Sequence, residues 1–284
     1  MIGGFARFIG IDWSGAKSGY SRKIQVAVCA AGDEPPALVE RPGGWRRAAV
    51  LDWLLTQVLP GPPALIGFDF SFAPPYADCG AYLPGSATAD DGPGFWAHVE
   101  SICAATDLGA ADFVTERYRR YFYLGATDGP KAPYMRLRAC ERRYNATGGR
   151  KPSSVFDAIG AAQVSKASFA GMRLLHRLHP HVAIWPFQPH IPGCSAVVEI
   201  YCQAFLRQAG LSGRKIRDVS HLDQALAALG SPSMVPASVL TDDMTDALVA
   251  SAALRACASD RSYWTPSPLS AAIARTEGWT FGVR

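Results

Sequence analysis

Five acidic residues stand where a folded chain would otherwise want apolar ones. Asp12 closes the run RFIGI, Asp69 interrupts LIGFDFSF, and Glu199 interrupts VVEIY; Asp243 and Asp246 stand three apart near the start of TDDMTDALVASAALRACA. Residues three apart on a helix share a face, so Asp243 and Asp246 can point at one spot. Burying an uncompensated charge in a strand costs several kcal/mol. Carboxylates gathered at a sheet centre also repel one another unless a cation neutralises them. A hard divalent ion such as Mg²⁺ suits that role, because it binds carboxylates and a substrate phosphate together. Taken singly, some of these acids have ordinary explanations. Asp242 and Asp243 follow Thr241 in a first helical turn, where a threonine cap and acidic residues are normal. Asp12 can open the turn WSGAKSG. Asp69, Glu199 and Asp246 have no such explanation, and it is the ordered set that points to chemistry.

The elements that must bring these acids together can be read from the pattern. Residues 6–13 and 24–30 read as strands, joined by a Gly/Ser/Lys-rich turn, and a short third strand follows at Ala37–Glu40. WRRAAVLDWLLTQVL (45–59) has helical spacing and is stopped by PGPP, after which 64–72 is an apolar strand ended by Pro74-Pro75. Strand character returns at 182–187 and 196–205. Helices are expected over DVSHLDQALAALG and 241–258, the latter with small residues Ala247, Ala250, Ala252 and Ala253 that allow close approach to a sheet. The order strand, strand, strand, helix, strand is the first half of a mixed α/β sheet. Residues 1–72 and 182–284 are therefore expected to form the core. The stretch 73–181 is expected to be a helical insertion, with pieces near 95–108, 113–122, 134–144 and 155–178, and the whole to be one compact domain.

An acid after the first strand, an acid in the fourth and a DxxD pair opening the last helix resemble the ribonuclease H-like superfamily, especially its RuvC-type resolvases. More narrowly, IGIDWSG, IGFDFSFAPP, KPSSVFDAIGAAQVSK, IWPF, VVEIYC and TDDMTDAL are similar to domain-of-unknown-function family 429, described as predicted RuvC/YqgF-like nucleases. The resemblance implies a five-stranded mixed sheet flanked by helices in the order βββαβαβα. It also implies that Asp12, Asp69, Asp243 and Asp246 occupy metal-binding positions. The fourth-strand acid is often Glu in resolvases and is Asp69 here, which has a shorter reach. Glu199 has no counterpart in the resolvase set. On this reading two Mg²⁺ or Mn²⁺ ions about 4 Å apart clamp the scissile phosphate, one activating water and the other stabilising the leaving oxygen. Asp12 bridges them, and Lys17 or Lys23 offsets phosphate charge.

The expected insertion has its own signature. Between Glu116 and Lys151, ten Lys and Arg face three acids, and Tyr118, Tyr121, Phe122, Tyr123, Tyr134 and Tyr144 are interleaved with them. Arginines that fork onto phosphates, alternating with rings that stack on bases, suit a single-strand or junction binder. Arg117, Arg120, Arg136, Arg138, Arg142 and Arg143, with Lys17, are the candidate nucleic-acid contacts. RYRRYFY is too dense in rings to be all surface, so some of them must be buried on either reading.

Composition sets the outer bounds. The 284 residues are 49% apolar and 18% charged, which excludes a disordered or fibrous chain, and 28 basic against 24 acidic residues leave a net charge of +4. Seven cysteines form no CxxC pair, which argues for reduced thiols and against a zinc ribbon. No apolar run approaches the roughly 20 residues of a membrane span, and a cytoplasmic setting is expected. GIDWSGAKS fails as a phosphate loop because Ala16 separates glycine from lysine. The reading is therefore a divalent-metal-dependent nuclease acting on DNA or RNA with Mg²⁺ or Mn²⁺. Its partner is nucleic acid, not a membrane, and a homodimer stays open. Two alternatives stand beside it: a nucleotide-binding phosphotransferase of the actin-like branch of the same fold, and an inert nucleic-acid-binding module.

Overall fold

The computed structural model describes residues 4–16, 23–149, 152–159, 164–211, 216, 218–234 and 240–284. Three strands come first: β1 (Arg7–Asp12), β2 (Gln25–Ala30) and the short β3 (Ala37–Leu38), each antiparallel to the one before. Helix α1 (Arg47–Trp53) runs on through a π-helical turn over Leu54–Val58 and leads to β4 (Ala64–Phe68), which lies parallel to β1. The stretch after β4 holds α2 (Gly92–Ile102), α3 (Ala139–Ala146) and α4 (Val164–Leu178), with short π and 3₁₀ turns between them. The chain then forms β5 (Ala183–Trp185), β6 (Ala196–Ile200), α5 (Cys202–Gln208), α6 (Val219–Ala228), α7 (Asp242–Cys257), α8 (Arg261–Trp264), α9 (Ala271–Thr276) and β7 (Thr280–Phe281).

The result is an α/β protein built on one mixed seven-stranded sheet in the order β3-β2-β1-β4-β6-β5, with β7 also paired to β6. This corrects the five strands that the resemblance implies. Strands β5 and β7 lie end to end along the outer side of β6, β5 on Ala196–Val198 and β7 on Glu199–Ile200. A second correction concerns 196–205, where the strand ends at Ile200 and CQAFLRQ is helical. Among the described residues of the stretch read as helix over 155–178, Val164–Leu178 is helical and 155–159 is not; Asp157 instead makes a parallel bridge to Tyr123.

Alternation along the strands sorts side chains to two faces. Ile9, Ile11, Ile66, Phe68 and Val197 meet the helical stretch after β4, including Phe95, Phe113 and Phe169, in one continuous cluster. Phe8, Leu65 and Val198 face the other way, towards Ala250, Ala253 and Leu254 of α7. Helix α7 is capped by Thr241, whose hydroxyl accepts from the Met244 amide. It approaches the sheet closely because Gly10 and Gly67 stand side by side in β1 and β4. A methyl on Gly10 would lie 2.4 Å from the Ala247 carbonyl oxygen and 2.7 Å from the Ser251 nitrogen. Those are backbone atoms, so only a shift of the helix could relieve the clash. Gly10→Ala is accordingly expected to destabilise the fold by about 2 kcal/mol, read as a lower denaturant midpoint at unchanged slope.

Candidate active site

Strands β1, β4 and β6 are parallel neighbours, and their carboxyl ends open into one cavity of about 430 Å³. In open α/β sheets this edge is where ligands bind. Ile11 pairs in register with Phe68, so the next residues, Asp12 and Asp69, emerge side by side. Asp12 shares the face of Gly10, against α7, whose first turns bring Asp243 and Asp246 to the same cavity. All five predicted acids thus line one space although they come from positions 12, 69, 199, 243 and 246.

The electrostatics are those of crowded, half-buried carboxylates. Asp12 is held well above the ordinary carboxylate range, first by burial and then by the charge of Asp69, with Asp246 and Asp243 adding to it. Asp12 donates a hydrogen bond to Asp69, whose Oδ1 also accepts from the Trp13 amide at 2.8 Å. Burial raises Asp69 as well, partly offset by those bonds. Asp246 is pushed up to about 7 by burial and by Asp69, while a hydrogen bond with the Cys202 thiol pulls it down. Without a cation, protons do the neutralising. Each acid binds protons more tightly folded than unfolded, so stability is lost as pH rises from about 3.9 through the folded-state values. The metal-free protein is expected to melt at a lower temperature at pH 8 than at pH 5.5. Millimolar Mn²⁺ should recover most of that loss at pH 8, because a ligand of the folded state adds stability; a melting temperature indifferent to both would contradict the electrostatic account.

The donor set suits a hard divalent cation, since Asp12, Asp69, Asp243 and Asp246 offer only carboxylate oxygens. Among the described residues, however, no three acid, His or Cys side chains already stand in ligating geometry. The strand ends and the first turns of α7 bring the acids together, and Asp12 and Asp69 share a hydrogen bond. Binding an ion therefore means losing the proton of that bond and drawing the carboxylates inwards.

Glu199 lines the same cavity but is bonded into its wall. It pairs in register with Phe68 and so lies on the opposite face from Asp12. It accepts from Arg138 Nη1 at 2.6 Å and Nη2 at 2.5 Å, from the Phe72 amide at 2.8 Å and from Thr280 Oγ1 at 2.6 Å. Arg138, expected on a nucleic-acid-binding surface, is only 2% exposed. Its remaining N–H groups go to Glu141 Oε1, Ser71 Oγ and the Glu277 carbonyl. A phosphate would find none of its donors unspent. Arg138 and Glu199 form a buried girder in the cavity wall, so neither is placed as a metal ligand or a phosphate contact.

The other basic candidates divide by partner. Arg136 is bidentate to Asp78 and also donates to the Pro75, Ala81 and Tyr82 carbonyls, so it clamps a loop. Arg119 pairs with Asp128 and Lys131 with Asp157. Arg117, Arg120, Arg142 and Arg143 are exposed. Lys17, Arg150 and Lys151 lie outside the described residues. Of the rings, Tyr118, Phe122 and Tyr144 are buried, as the density of RYRRYFY requires.

Sequence reasoning missed three contributors. Buried Arg47 donates to the Ser14 and Ala16 carbonyls at 3.0 Å and pairs with Asp107, fixing the loop after Asp12. Cys202 contacts Asp246, and both burial and that carboxylate push its thiol well up. Glu277, fully buried, accepts from the Tyr76, Ala77 and Ala139 amides. Arg47 lies in an amphipathic helix that reads as ordinary surface, and only the fold reveals its partners.

No helix among the described residues is long and apolar enough to cross a membrane. Comparison with protein-family models, characterised proteins and solved structures yields no match to this chain.

Proposed function

We propose that this protein hydrolyses phosphodiester bonds of DNA or RNA with the help of Mg²⁺ or Mn²⁺, and that its sheet is of the ribonuclease H-like kind. The observation that carries the reading is the meeting of Asp12, Asp69, Asp243 and Asp246 in one cavity at the carboxyl ends of parallel strands, with three of the four held above their ordinary pKa. The opening element order, three strands, a helix and a fourth strand, is the one that the resemblance implies. Asp12, Asp69 and Asp246, with Asp243, would hold the metal. A bound divalent ion supplies charge stabilisation for the phosphoryl oxygens and lowers the pKa of water.

The chain's own contribution is positional. Trp13 fixes Asp69 through its amide and is itself pinned to α4, its indole donating to the Ala167 carbonyl at 3.1 Å. Asp12 and Asp69 are thereby locked on adjacent strand ends. Asp246, poised at about 7, can give up its proton near neutral pH. Activity should therefore climb from pH 6 to pH 8.

The test is degradation of end-labelled oligonucleotides by the purified protein with Mg²⁺, Mn²⁺ or EDTA, with Asp12→Asn as a control for contaminating nuclease. Cleavage that needs the metal and disappears in the variant supports the proposal. Cleavage that survives Asp12→Asn, or tight ATP binding with no effect on any oligonucleotide, would overturn it.

A further inference from the structure

Ion pairing divides the arginines into two groups. Among the described residues Arg136 and Arg138 are each spent on carboxylates within hydrogen-bond distance, whereas Arg142, Arg143 and Arg207 have no side-chain carboxylate within ion-pair range. Asp78 lies close enough to feel the charge of Arg142 without bonding to it. Arg207, on α5, lies outside the arginine-rich stretch.

The partners of Arg142 and Arg207 are neutral, and Arg143 bonds to the backbone oxygen of Arg284. Arg143 Nε donates to that oxygen at 2.9 Å, Arg142 to the Leu137 carbonyl, and Arg207 to the Thr147 carbonyl and hydroxyl. The positive charge of Arg142 and Arg207 is therefore left for an outside partner. Arg142 and Arg143 lie on α3, whose Cys140, Glu141 and Tyr144 line the acid cavity, and Arg207 reaches the same wall. The Arg207 guanidinium stacks 5.5 Å from the centroid of Tyr144, and Tyr144 meets Tyr201 edge to face, also at 5.5 Å. Both rings line the cavity, as does Val283, next to the Arg284 that Arg143 holds.

Access adds a second constraint. The aspartates stand half-buried around a space of about 430 Å³, the size of a small-molecule pocket. The major groove of a duplex is itself about 12 Å wide, and both its strands are held stiffly. A phosphodiester fits against half-buried acids in so small a space more readily on a strand free to bend into the cavity.

We infer that the substrate is single-stranded nucleic acid, led to the acids along Arg142, Arg143 and Arg207 and past the partly exposed ring of Tyr201, which the buried Tyr144 backs. This inference rests on the nuclease reading for its acids and goes beyond it in naming the form of the substrate and its track. Arginine charge beside aromatic rings is the combination that holds single strands without regard to sequence.

The experiment measures binding rather than cleavage, so the two claims fail separately. Fluorescence anisotropy of full-length Asp12→Asn protein with a 5′-labelled single strand is compared with a blunt duplex of the same sequence. The single strand is expected to bind at least about tenfold more tightly. Arg143→Gln/Arg207→Gln should weaken it about tenfold and lower the salt slope by about 1.4, two phosphate contacts at roughly 0.7 each. Arg117→Gln/Arg120→Gln should leave it unchanged. Should the first pair lower the melting temperature, Arg142→Gln, whose partner is one exposed carbonyl, replaces it with an expected loss of about threefold. Equal or tighter duplex binding, or an effect confined to Arg117 and Arg120, would overturn the inference while leaving the nuclease assay to stand or fall by itself.

Discussion

Arg138→Met is expected to cost about 3–5 kcal/mol of folding stability, the largest stability effect of any substitution considered. The arginine is 2% exposed, and Glu199 and Glu141 around it are 3% and 7% exposed. Removing the cation leaves two buried carboxylates without their counter-charge, and methionine fills the volume without restoring it. A protein of ordinary stability has only about 5–15 kcal/mol to lose, so the variant should unfold at a much lower urea concentration. Adding Glu199→Gln should recover part of the loss, because the pair is coupled and one of the stranded charges is gone. If the single variant melted like wild type, the buried network would not be holding the wall of the cavity.

Asp12→Asn should lower metal-dependent cleavage by at least about a thousandfold. A metal ion supplies several kcal/mol of charge stabilisation, each 1.36 kcal/mol is a factor of ten in rate, and Asp12 is central to the group meant to hold it. The same substitution is expected to make the metal-free protein more stable. Asp12 is crowded by Asp69, Asp246 and Asp243, and an amide removes one of the mutually repelling charges. The gain should be a few degrees in melting temperature at pH 8. It should shrink towards pH 5.5, where protons already relieve the crowding. Loss of activity together with a higher melting temperature is the signature of a residue kept for its work at the expense of the fold. Loss of activity with a lower melting temperature would instead mark Asp12 as a structural residue.

Much of this was legible before the fold was known. A carboxylate in a strand carries its own warning, and Asp12, Asp69 and Asp246 do converge. The small residues of α7 foretold close packing, although only the structure supplies their counterparts, Gly10 and Gly67. Glu199 gave the same warning for a different reason. It is one register position from the acid pair, and alternation turned it to the other face and to Arg138. Charge counting could not separate Arg138 from Arg142, four positions apart on the chain, because what divides them is a carboxylate contributed from β6. The strand–helix switch at Cys202 was invisible for a similar reason, since AVVEIYCQAF is apolar apart from Glu199 and Gln203 and either period fits it. Short β7 is too brief to announce itself. It exists because β6 offers it an open edge next to Glu199.

The position of Glu277 and β7 has a consequence for how the molecule is made. Synthesis runs from β1 onwards, yet the amides of Tyr76, Ala77 and Ala139 and the hydroxyl-seeking oxygen of Glu199 are all met by residues from the last stretch of chain, Glu277 and Thr280. Until that stretch leaves the ribosome, the pocket lacks one wall and several of its loops lack their anchor. A nascent chain stalled before Glu277 would carry every acid of the site and still be unable to hold them in working order.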